Sequence, residues 1–525
     1  MKDHLRFWLL FVAAATAGFR LVLLALQRVP FDGDEAIVAL MARHILQGER
    51  PWFFYGQNYM GSLDAYFIAG AFALLGESVW AVRLVQVALC TATTLVLYAV
   101  ARRLTDDHAA ARAASLLWAL PPLLLTVYTT VSLGGYGEMM LIGSLLVWWG
   151  HRLGGEDRRR WGLWLGWGLI AGLGFWVLAL VVVYLAPTAL WLLWQHARPA
   201  NGRLRSLPWP GYLLATAGFA LGSLPWWLGQ GYVAFAGLVD GAAGDPFLAA
   251  VGMRLRNFFV LGLPALFGLR FPWSVSGPPL WMGAPVLALY LGALGYALRR
   301  ARSGMPLSGR LLLWGIAGAL FLGFTLTPYG GDPSGRYFLP LYLPLFIFVA
   351  DVLSALQRRV GRLAWLPLVI LLAFHLFGTV QAARTYPPGI SAHFNPDAWV
   401  DHRCDQALIA FLQDHDGSRG YANYWISYPI AFLSGEEVIL EPRLPYKSTL
   451  RYNPGDNRYA PYGEQVEASV ARVYVTTDYP PLNALLRERF AALGVGYRET
   501  EIGRYHVFYG FSRLVTPDEL NLELE

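Results

Sequence analysis

Apolar runs of about 20 residues recur along this 525-residue chain, and short polar loops separate them. A run of that length crosses a lipid bilayer as an α-helix. Residues 257–269 are too short for a comfortable span, so we predict a re-entrant or interfacial segment there. The pattern predicts eleven spans, at about 7–28, 79–101, 113–130, 137–151, 161–177, 178–196, 209–229, 281–298, 311–328, 337–356 and 364–382.

The composition agrees with a membrane protein. Hydrophobic residues make up 56% of the chain and charged residues 14%, whereas soluble domains carry roughly 25% charged residues. A soluble globular chain, a disordered chain and a disulfide scaffold are therefore excluded. Cys90 lies in an apolar run and Cys404 in a polar region, so we expect no bridge between them.

The charge distribution predicts an orientation. Residues 1–382 are net basic, and their arginines concentrate in alternate short loops between spans. Such loops face the cytoplasm, which leaves loops 29–78 and 230–280 and the C-terminal region outside. Because the basic residues are spread over separate loops and do not form one surface, a nucleic-acid partner is excluded.

Residues 383–525 are polar enough to form a separate domain outside the membrane. Two segments have the spacing of amphipathic helices, DQALIAFLQDH and PLNALLRERFAALG, and four are typical of strands, VILEP, ARVYVTTD, YRETEI and YHVFYGF. We therefore predict a transmembrane domain at 1–382, whose outer loop 29–78 carries interfacial helices, and a small extracytoplasmic α/β domain at 383–525.

Three carboxylates directly follow the first span. Asp32, Asp34 and Glu35, here called the acidic cluster, precede the amphipathic segment AIVALMARHIL. One interpretation is a capping box, in which Asp32 and Glu35 satisfy the first turn of that helix. An equally good interpretation is a general base or a cation site, because three carboxylates exceed what a cap needs and their repulsion raises at least one pKa.

Two other outer positions carry candidate chemistry. Glu138 follows VSLGGYG at the start of the fourth span, where an ionisable side chain indicates function more often than a cap. In TPYGGDPSGRYFLPL, Arg336 begins a helix, where its guanidinium would either bind a phosphate or extend to lipid headgroups. Arg83, Arg254 and Arg256 are further candidates of this kind.

The first loop, the interfacial helix AIVALMARHILQGERP, the turn FFYGQNYMG and the span opening AVRLV together resemble the glycosyltransferase C superfamily. The closest likeness is to glycosyltransferase family 39-like proteins, which include protein O-mannosyltransferases and the lipid A aminoarabinose transferase. The resemblance covers about residues 1–160 and 325–345. Many relatives have a Lys-Pro pair after the turn, where this chain has Ser62-Leu63.

The resemblance implies an inverting glycosyltransferase that moves a sugar from a polyprenyl phosphate carrier to an acceptor hydroxyl at the extracytoplasmic face. The acceptor would be a glycan, a lipid or a protein, and the scarcity of lysine favours a bacterial plasma membrane. The site residues implied are Asp34, Glu35 and Glu138 for catalysis, Arg83, Arg256, Arg336 and Tyr337 for the carrier phosphate, and Tyr55, Gln57, Asn58 and Tyr59 for the sugar or acceptor.

No cofactor is required by this scheme, although Mg²⁺ or Mn²⁺ held by Asp32, Asp34 and Glu138 is an open alternative, since hard cations prefer oxygen ligands. The rival function is a flippase or transporter of lipid-linked sugars. Such a protein would place polar groups near the bilayer midplane in broken helices, whereas most ionisable groups here lie at the outer ends of the predicted spans.

Overall fold

A computed structural model describes residues 2–155, 157–198, 207–233, 247–274, 276–302, 308–385, 389–390 and 400–524. Part of the predicted outer loop 230–280 and the beginning of the predicted C-terminal domain therefore lie outside the described residues. The chain forms two compact units. Unit 1 comprises Met1–Leu26, Asn58–Asp64 and Arg83–Arg384, and unit 2 comprises Gln27–Gln57, Ala65–Val82 and Thr385–Glu525.

The first 385 residues are almost entirely helical. The helices are α1 Lys2–Ala25, α2 Gly33–Gln47, α3 Leu63–Leu75, α4 Val79–Thr105, α5 His108–Ala119, α6 Leu123–Val127, α7 Tyr136–Leu153, α8 Trp161–Val177, α9 Val182–Ala197, α10 Trp209–Gly222, α11 Leu224–Leu228, α12 Phe247–Arg256, α13 Leu263–Leu266, α14 Leu280–Arg302, α15 Ser308–Leu326, α16 Tyr342–Val360 and α17 Leu366–Thr385. Two short strands, β1 Phe53–Phe54 and β2 Gln57–Gly61, precede α3.

Six stretches of the described residues are long and apolar enough to cross a membrane. Two shorter apolar helices, Leu63–Leu75 and Trp161–Val177, accompany them. The predicted count of eleven spans stays a prediction. The six stretches are Asp3–Ala25, Val79–Thr105, Ala179–Ala197, Leu280–Ala301, Gly309–Leu326 and Arg336–Arg384.

One predicted span is interrupted. Residues 113–130 were expected to form a single helix, but α5 ends at Ala119 and α6 begins at Leu123. Pro121 and Pro122 lie between them, and a proline has no N–H to donate to the preceding turn of a helix. Residues 257–269, which are too short for a span, contain a π-helical turn at Asn257–Gly262 and the single turn α13.

Glycines allow α8 and α10 of unit 1 to pack backbone against backbone. An added Cβ at Gly168 would lie 1.9 Å from the Ala215 carbonyl oxygen, and one at Gly172 would lie 2.1 Å from that of Phe219. Gly218 and Gly222 of α10 approach α8 as closely. Small residues at intervals of four are typical of such close contacts between membrane helices.

Arg20 lies inside α1 and is fully buried in unit 1. Its guanidinium donates to the carbonyl oxygens of Thr16, Ala119 and Thr129 at 3.0–3.2 Å, and to the Thr129 hydroxyl at 2.8 Å. The charge is therefore stabilised by backbone dipoles, and Arg20 joins α1 to α5 and to the segment after α6.

The C-terminal part of unit 2 is a small α/β domain, as predicted. Its five-stranded sheet has the order β4-β3-β5-β7-β6, in which β3 runs parallel to β4 and β5, and β7 runs antiparallel to β5 and β6. The elements are α18 Asp405–Asp414, β3 Arg419–Ala422, α19 Tyr424–Leu433, β4 Ile439–Pro442, α20 Ala460–Glu467, β5 Val473–Thr477, α21 Pro480–Ala492, β6 Arg498–Ile502 and β7 Tyr505–Tyr509.

Helix α2 packs against α19 within unit 2. Its polar residues are covered rather than turned to solvent. Arg43 pairs with Glu77 at 2.8 Å and donates to the Phe432 carbonyl oxygen at 3.1 Å. The His44 Nε2 lies 2.9 Å from the Glu436 carboxylate. Arg43 and His44 are both buried, and the location of this helix at the membrane interface stays a prediction.

Candidate active site

The acidic cluster of unit 2 occupies the first turn of α2. Asp32 is the N-cap residue, and its Oδ1 accepts a hydrogen bond from the Glu35 N–H at 3.2 Å. Burial, followed by the charges of Asp34 and Glu35, raises the pKa of Asp32 to about 7. The capping interpretation is therefore confirmed for Asp32, which is partly protonated at neutral pH. Glu35 is fully buried.

Asp34 is the one member of the acidic cluster that is not buried. Its Oδ1 accepts a hydrogen bond of 2.5 Å from the Tyr424 hydroxyl, at the first residue of α19. Burial and the charge of Asp34 raise the pKa of Tyr424 well above its ordinary value, so the phenol remains a donor. The half-exposed Asp34 is thus a carboxylate with one fixed partner and access to solvent.

The loop after α2 contacts residues of the C-terminal region in unit 2. The Tyr55 hydroxyl donates to the Glu49 carboxylate at 2.5 Å, and its ring stacks on Tyr459 with centroids 4.7 Å apart. With the Gln57 amide oxygen facing Arg458, that oxygen accepts from the guanidinium at 3.1 Å. Tyr55 and Gln57, which the resemblance assigned to the sugar or acceptor, therefore also hold this loop in place.

Two acids of unit 1 lie together at the start of α7. Gly134 and Gly135 have positive φ angles, +77° and +79°, and lead into the helix that carries Glu138. Both Glu138 carboxylate oxygens are buried and accept no hydrogen bond from an N–H or hydroxyl donor of the described residues, but the Asp64 carboxyl lies within hydrogen-bonding reach and the two acids can share a proton. Asp64, which interacts electrostatically with Glu138, is also buried.

Asp64, unlike Glu138, is fully engaged. It accepts from Gln86 Nε2 at 2.9 Å and from the Ser132 hydroxyl. An unpaired buried charge is costly, so Glu138 either holds a proton or receives a cationic or hydroxyl group from a ligand. We had not selected Asp64 from the sequence, although an acid within the apolar stretch GSLDAYF is the kind of signal that marks such a position.

Arg336 begins a short 3₁₀ helix, Arg336–Leu341, after a tight loop in unit 1. Gly335 enters this helix with a φ of +88°. The Arg336 Nε lies 2.6 Å from an Asp332 carboxylate oxygen, and its guanidinium carbon is 5.2 Å from the centre of the Tyr337 ring. With 39% of its side chain exposed, Arg336 remains accessible to an anion.

Two further arginines support this loop. Arg270 donates to the Pro333 carbonyl oxygen at 2.5 Å. Arg254 packs against Gly330, where an added Cβ would lie 2.7 Å from its Cγ, and the buried Arg254 Nε lacks a hydrogen-bond partner among the described residues. Arg254 and Arg256 were both candidates from the sequence, and Arg256 is exposed on α12. The sequence analysis did not select Arg270, which had only the signal of a lone cation after an apolar run.

Three other candidates, Tyr59, Arg83 and Asn58, belong to unit 1. Tyr59 interacts electrostatically with Tyr329 and Tyr337, so it belongs to the surroundings of the Arg336 loop. Arg83 is buried in α4, and Asn58 is exposed in β2.

The metal alternative names residues from both units, Asp32 and Asp34 from unit 2 and Glu138 from unit 1. Within the part of the chain that the structure describes, no three His, Cys, Asp or Glu side chains form a group that would hold a metal ion. Asp32 already uses one oxygen as a helix cap. The metal stays a prediction.

Comparison with known proteins connects these features to a family. A model of the dolichyl-phosphate-mannose-protein mannosyltransferase family matches residues 62–227. No curated protein matches the chain in sequence.

Solved structures match nearly the whole chain. ArnT from Cupriavidus metallidurans bound to undecaprenyl phosphate is 14% identical, over 97% of this chain and 98% of its own, with a TM-score of 0.56. Its apo form is 13% identical over 94% and 97% of the two chains, also with a TM-score of 0.56. The Archaeoglobus fulgidus oligosaccharyltransferase with zinc and sulfate is 15% identical over 96% of this chain and 73% of its own, with a TM-score of 0.50.

The chain has the fold of the glycosyltransferase C superfamily. This GT-C fold confirms the resemblance found in the first outer loop, and it confirms the predicted class of a multi-pass helical membrane protein with a small C-terminal α/β domain. Because the sequence identities are only 13–15%, the structural likeness concerns the fold. The roles of individual residues are inferred from the geometry above.

Proposed function

We propose that this protein transfers a sugar from a polyprenyl phosphate carrier to an acceptor hydroxyl, with inversion at the anomeric carbon. The observation that carries the proposal is the half-exposed Asp34 carboxylate at the start of α2, within a GT-C fold. The undecaprenyl phosphate bound to the similar ArnT supports the class of donor. The identity of the sugar and of the acceptor is left open by this proposal.

Asp34 acts as the general base. An acceptor hydroxyl is too weakly acidic to ionise alone at neutral pH, so a carboxylate accelerates transfer by accepting the proton as the new C–O bond forms, and such positioned groups contribute roughly 10²–10⁴-fold. The free Asp34 oxygen is suited to this step because Tyr424 occupies only Oδ1. Glu138, whose carboxylate oxygens accept no hydrogen bond from an N–H or hydroxyl donor of the described residues, orients the acceptor.

The departing polyprenyl phosphate gains negative charge as the glycosidic bond breaks. Cations placed where charge develops stabilise the transition state. In unit 1, the partly exposed Arg336 with Tyr337 beside it fits this role, and the buried Arg254 reinforces the positive potential of the same loop. A guanidinium binds two phosphate oxygens at once, which a lysine does not.

We place this chemistry at the extracytoplasmic face of a bacterial plasma membrane. The support is the distribution of arginine along the sequence, since the loops rich in arginine are expected in the cytoplasm. Single cysteines introduced at Asn58 and at Arg159 would be labelled from opposite sides of sealed vesicles. Labelling of both from one side would contradict this orientation.

Transfer is tested with purified protein in lipid nanodiscs, a radiolabelled polyprenyl phosphate sugar and a mixture of acceptor glycans and lipid. We expect labelled acceptor and free polyprenyl phosphate, and we expect Asp34→Asn to lower kcat at least 100-fold. Asp414→Asn, at an exposed position at the end of α18, is the matched control. An Asp34→Asn protein that folds normally and transfers at the wild-type rate would remove Asp34 from the role of base.

The same assay separates the alternatives. A flippase would change the sidedness of the labelled lipid in vesicles without forming a glycosylated acceptor. If a divalent cation takes part, Asp32, Asp34 and Glu138 are the ligands we predict, and excess chelator would abolish transfer until Mg²⁺ or Mn²⁺ is restored. Full activity in chelator would exclude the metal.

A further inference from the structure

Asp34 and Tyr424 are 390 positions apart in the sequence, and both belong to unit 2. The 2.5 Å bond from the Tyr424 hydroxyl to Asp34 Oδ1 is the one hydrogen bond that the described residues make to this carboxylate. The C-terminal domain therefore contributes a side chain to the residue that the proposed function makes the base.

Tyr424 is held by three independent contacts. Asn423 caps α19 by accepting from the N–H groups of Trp425 and Ile426 at 3.0 and 3.1 Å, which fixes the start of the helix. At Gly33, an added Cβ would lie 2.9 Å from the Tyr424 ring, so the ring lies directly on the first turn of α2. The Arg458 guanidinium carbon lies 5.6 Å from the ring centre on another side.

The rest of α19 is anchored in the core of the domain. Ile426 and Ile430 are buried in the apolar cluster around the sheet, while Phe432 packs against Phe31 and Phe72 at 5.5 and 6.0 Å between ring centres. A helix fixed on both sides has little freedom to move, so the position of the Tyr424 hydroxyl is set before any substrate binds.

A hydroxyl in this place fixes the side-chain rotamer of the carboxylate. Because Tyr424 engages Oδ1, Oδ2 is the oxygen left to accept from an incoming hydroxyl group.

We infer that Tyr424 is a positioning residue for the base: its hydroxyl orients Asp34, and the C-terminal domain is thereby part of the catalytic machinery. This inference rests on the proposed function. It gives the C-terminal domain a role that does not require it to contact the sugar or the acceptor.

Tyr424→Phe tests the inference, because phenylalanine keeps the ring that packs on Gly33 and removes only the hydroxyl. Hydrogen bonds to charged groups are worth roughly 1.5–3 kcal/mol, so we expect kcat to fall about 10-fold to 100-fold while KM for the polyprenyl phosphate sugar changes less than about twofold.

The matched control is Tyr462→Phe. Tyr462 is another buried tyrosine of unit 2 that donates to a carboxylate, Glu436, at 2.8 Å. We expect this variant to lose stability and to keep the wild-type kcat. Both variants remove a hydroxyl that donates to a carboxylate from a buried tyrosine of unit 2, so a fall in kcat that is confined to Tyr424→Phe reports the lost bond to Asp34.

The outcomes distinguish the two proposals. If Asp34→Asn is inactive and Tyr424→Phe matches wild type in kcat, the positioning role is wrong and the proposed function stands. If Tyr424→Phe lowers the residual rate of Asp34→Asn as strongly as it lowers the wild-type rate, Tyr424 is a structural residue only. If Asp34→Asn is fully active, the proposed base itself is wrong. In an Asp34→Asn background, Tyr424→Phe should lower the residual rate by less than twofold, since the residue on which it acts is absent.

Discussion

The contact between α8 and α10 gives a stringent test of the packing, because the interface has no space for a single methyl group added at Gly172. An added Cβ there would lie 2.1 Å from the Phe219 carbonyl oxygen and 2.7 Å from the Ser223 nitrogen. Both atoms belong to the backbone of α10, so neither is displaced by a change of rotamer. In Gly172→Ala the two helices must separate locally by about 1 Å to restore an ordinary contact.

The cost follows from the contacts that this separation loosens. A gap of 0.5–1 Å forfeits roughly a quarter to a half of each dispersion contact, and overpacked sites cost typically about 1–3 kcal/mol. Alanine is better than glycine in a helix by roughly 0.5–1 kcal/mol, which offsets part of this cost. We therefore expect Gly172→Ala to lower the free energy of unfolding by about 1–2 kcal/mol.

Gly162, near the start of the same helix, is the matched control. An added Cβ there meets no atom within 4 Å, so Gly162→Ala should be neutral or stabilising by up to about 1 kcal/mol. Unfolding of the purified proteins in one detergent, followed by tryptophan fluorescence against denaturant, measures both. Equal stability of the two variants would contradict the backbone-to-backbone contact between α8 and α10.

Two further predictions concern the candidate site. The pKa of Asp32 is raised from 3.8 to about 7 by burial and by its acidic neighbours; the folded state therefore holds this proton more tightly, and stability should fall by up to roughly 4 kcal/mol as the pH rises from 4 to 8. Asp32→Asn keeps a good N-cap and should remove this fall in stability, which denaturant titrations at several pH values would measure. If the free energy of unfolding depends on pH in the same way in Asp32→Asn and in the wild type, Asp32 does not have the raised pKa. Arg336→Lys should lower kcat for transfer from the polyprenyl phosphate sugar about 10-fold, because lysine lacks the bidentate geometry that stabilises the departing phosphate, and the exposed Arg362→Lys should not; an unaltered kcat and KM would take Arg336 out of phosphate binding.

The elements of the C-terminal domain show which sequence patterns allow secondary structure to be predicted. The segments VILEP, ARVYVTTD, YRETEI and YHVFYGF contain β4, β5, β6 and β7, and the predicted helices correspond to α18 and α21. Amphipathic spacing sufficed for these helices, whereas β4 and β5, which are buried along their whole length, were recognised as short apolar runs rich in β-branched residues. The strand β3, Arg419–Ala422, was missed because four residues that include a glycine, in the middle of the sheet, carry no alternation.

The aromatic residues in and just before α19 were ambiguous for a different reason. The sequence alone leaves two functions open for Tyr421, Tyr424, Trp425 and Tyr428, which are stacking on sugar rings and packing in the core. Tyr424 and Tyr428 are buried, and their hydroxyls bond Asp34 and the Asp456 carbonyl oxygen. No periodicity links residues that are hundreds of positions apart, so the partner of Asp34 became visible only in the fold.

The sequence predicted more of the candidate site in unit 2 than in unit 1. The acidic cluster was identified as a whole, and the structure separates its members into the cap Asp32 and the half-exposed Asp34. Around Glu138 and Arg336 the sequence supplied single residues only. Asp64 and Arg270 complete those surroundings through tertiary contacts that local sequence does not encode, whereas Arg254 was already a candidate from the sequence.

The bond between Tyr424 and Asp34 also has a consequence for biosynthesis. The ribosome completes Asp34 long before it reaches Tyr424, and the nascent chain must then deliver and fold the sheet that carries α19 before the carboxylate gains its donor. A chain that stops short of residue 424, or one in which the late-made strands have not yet assembled, would already possess its first helices and its acid, but would hold that acid unoriented. Maturation of activity would therefore lag behind insertion of the helical bundle.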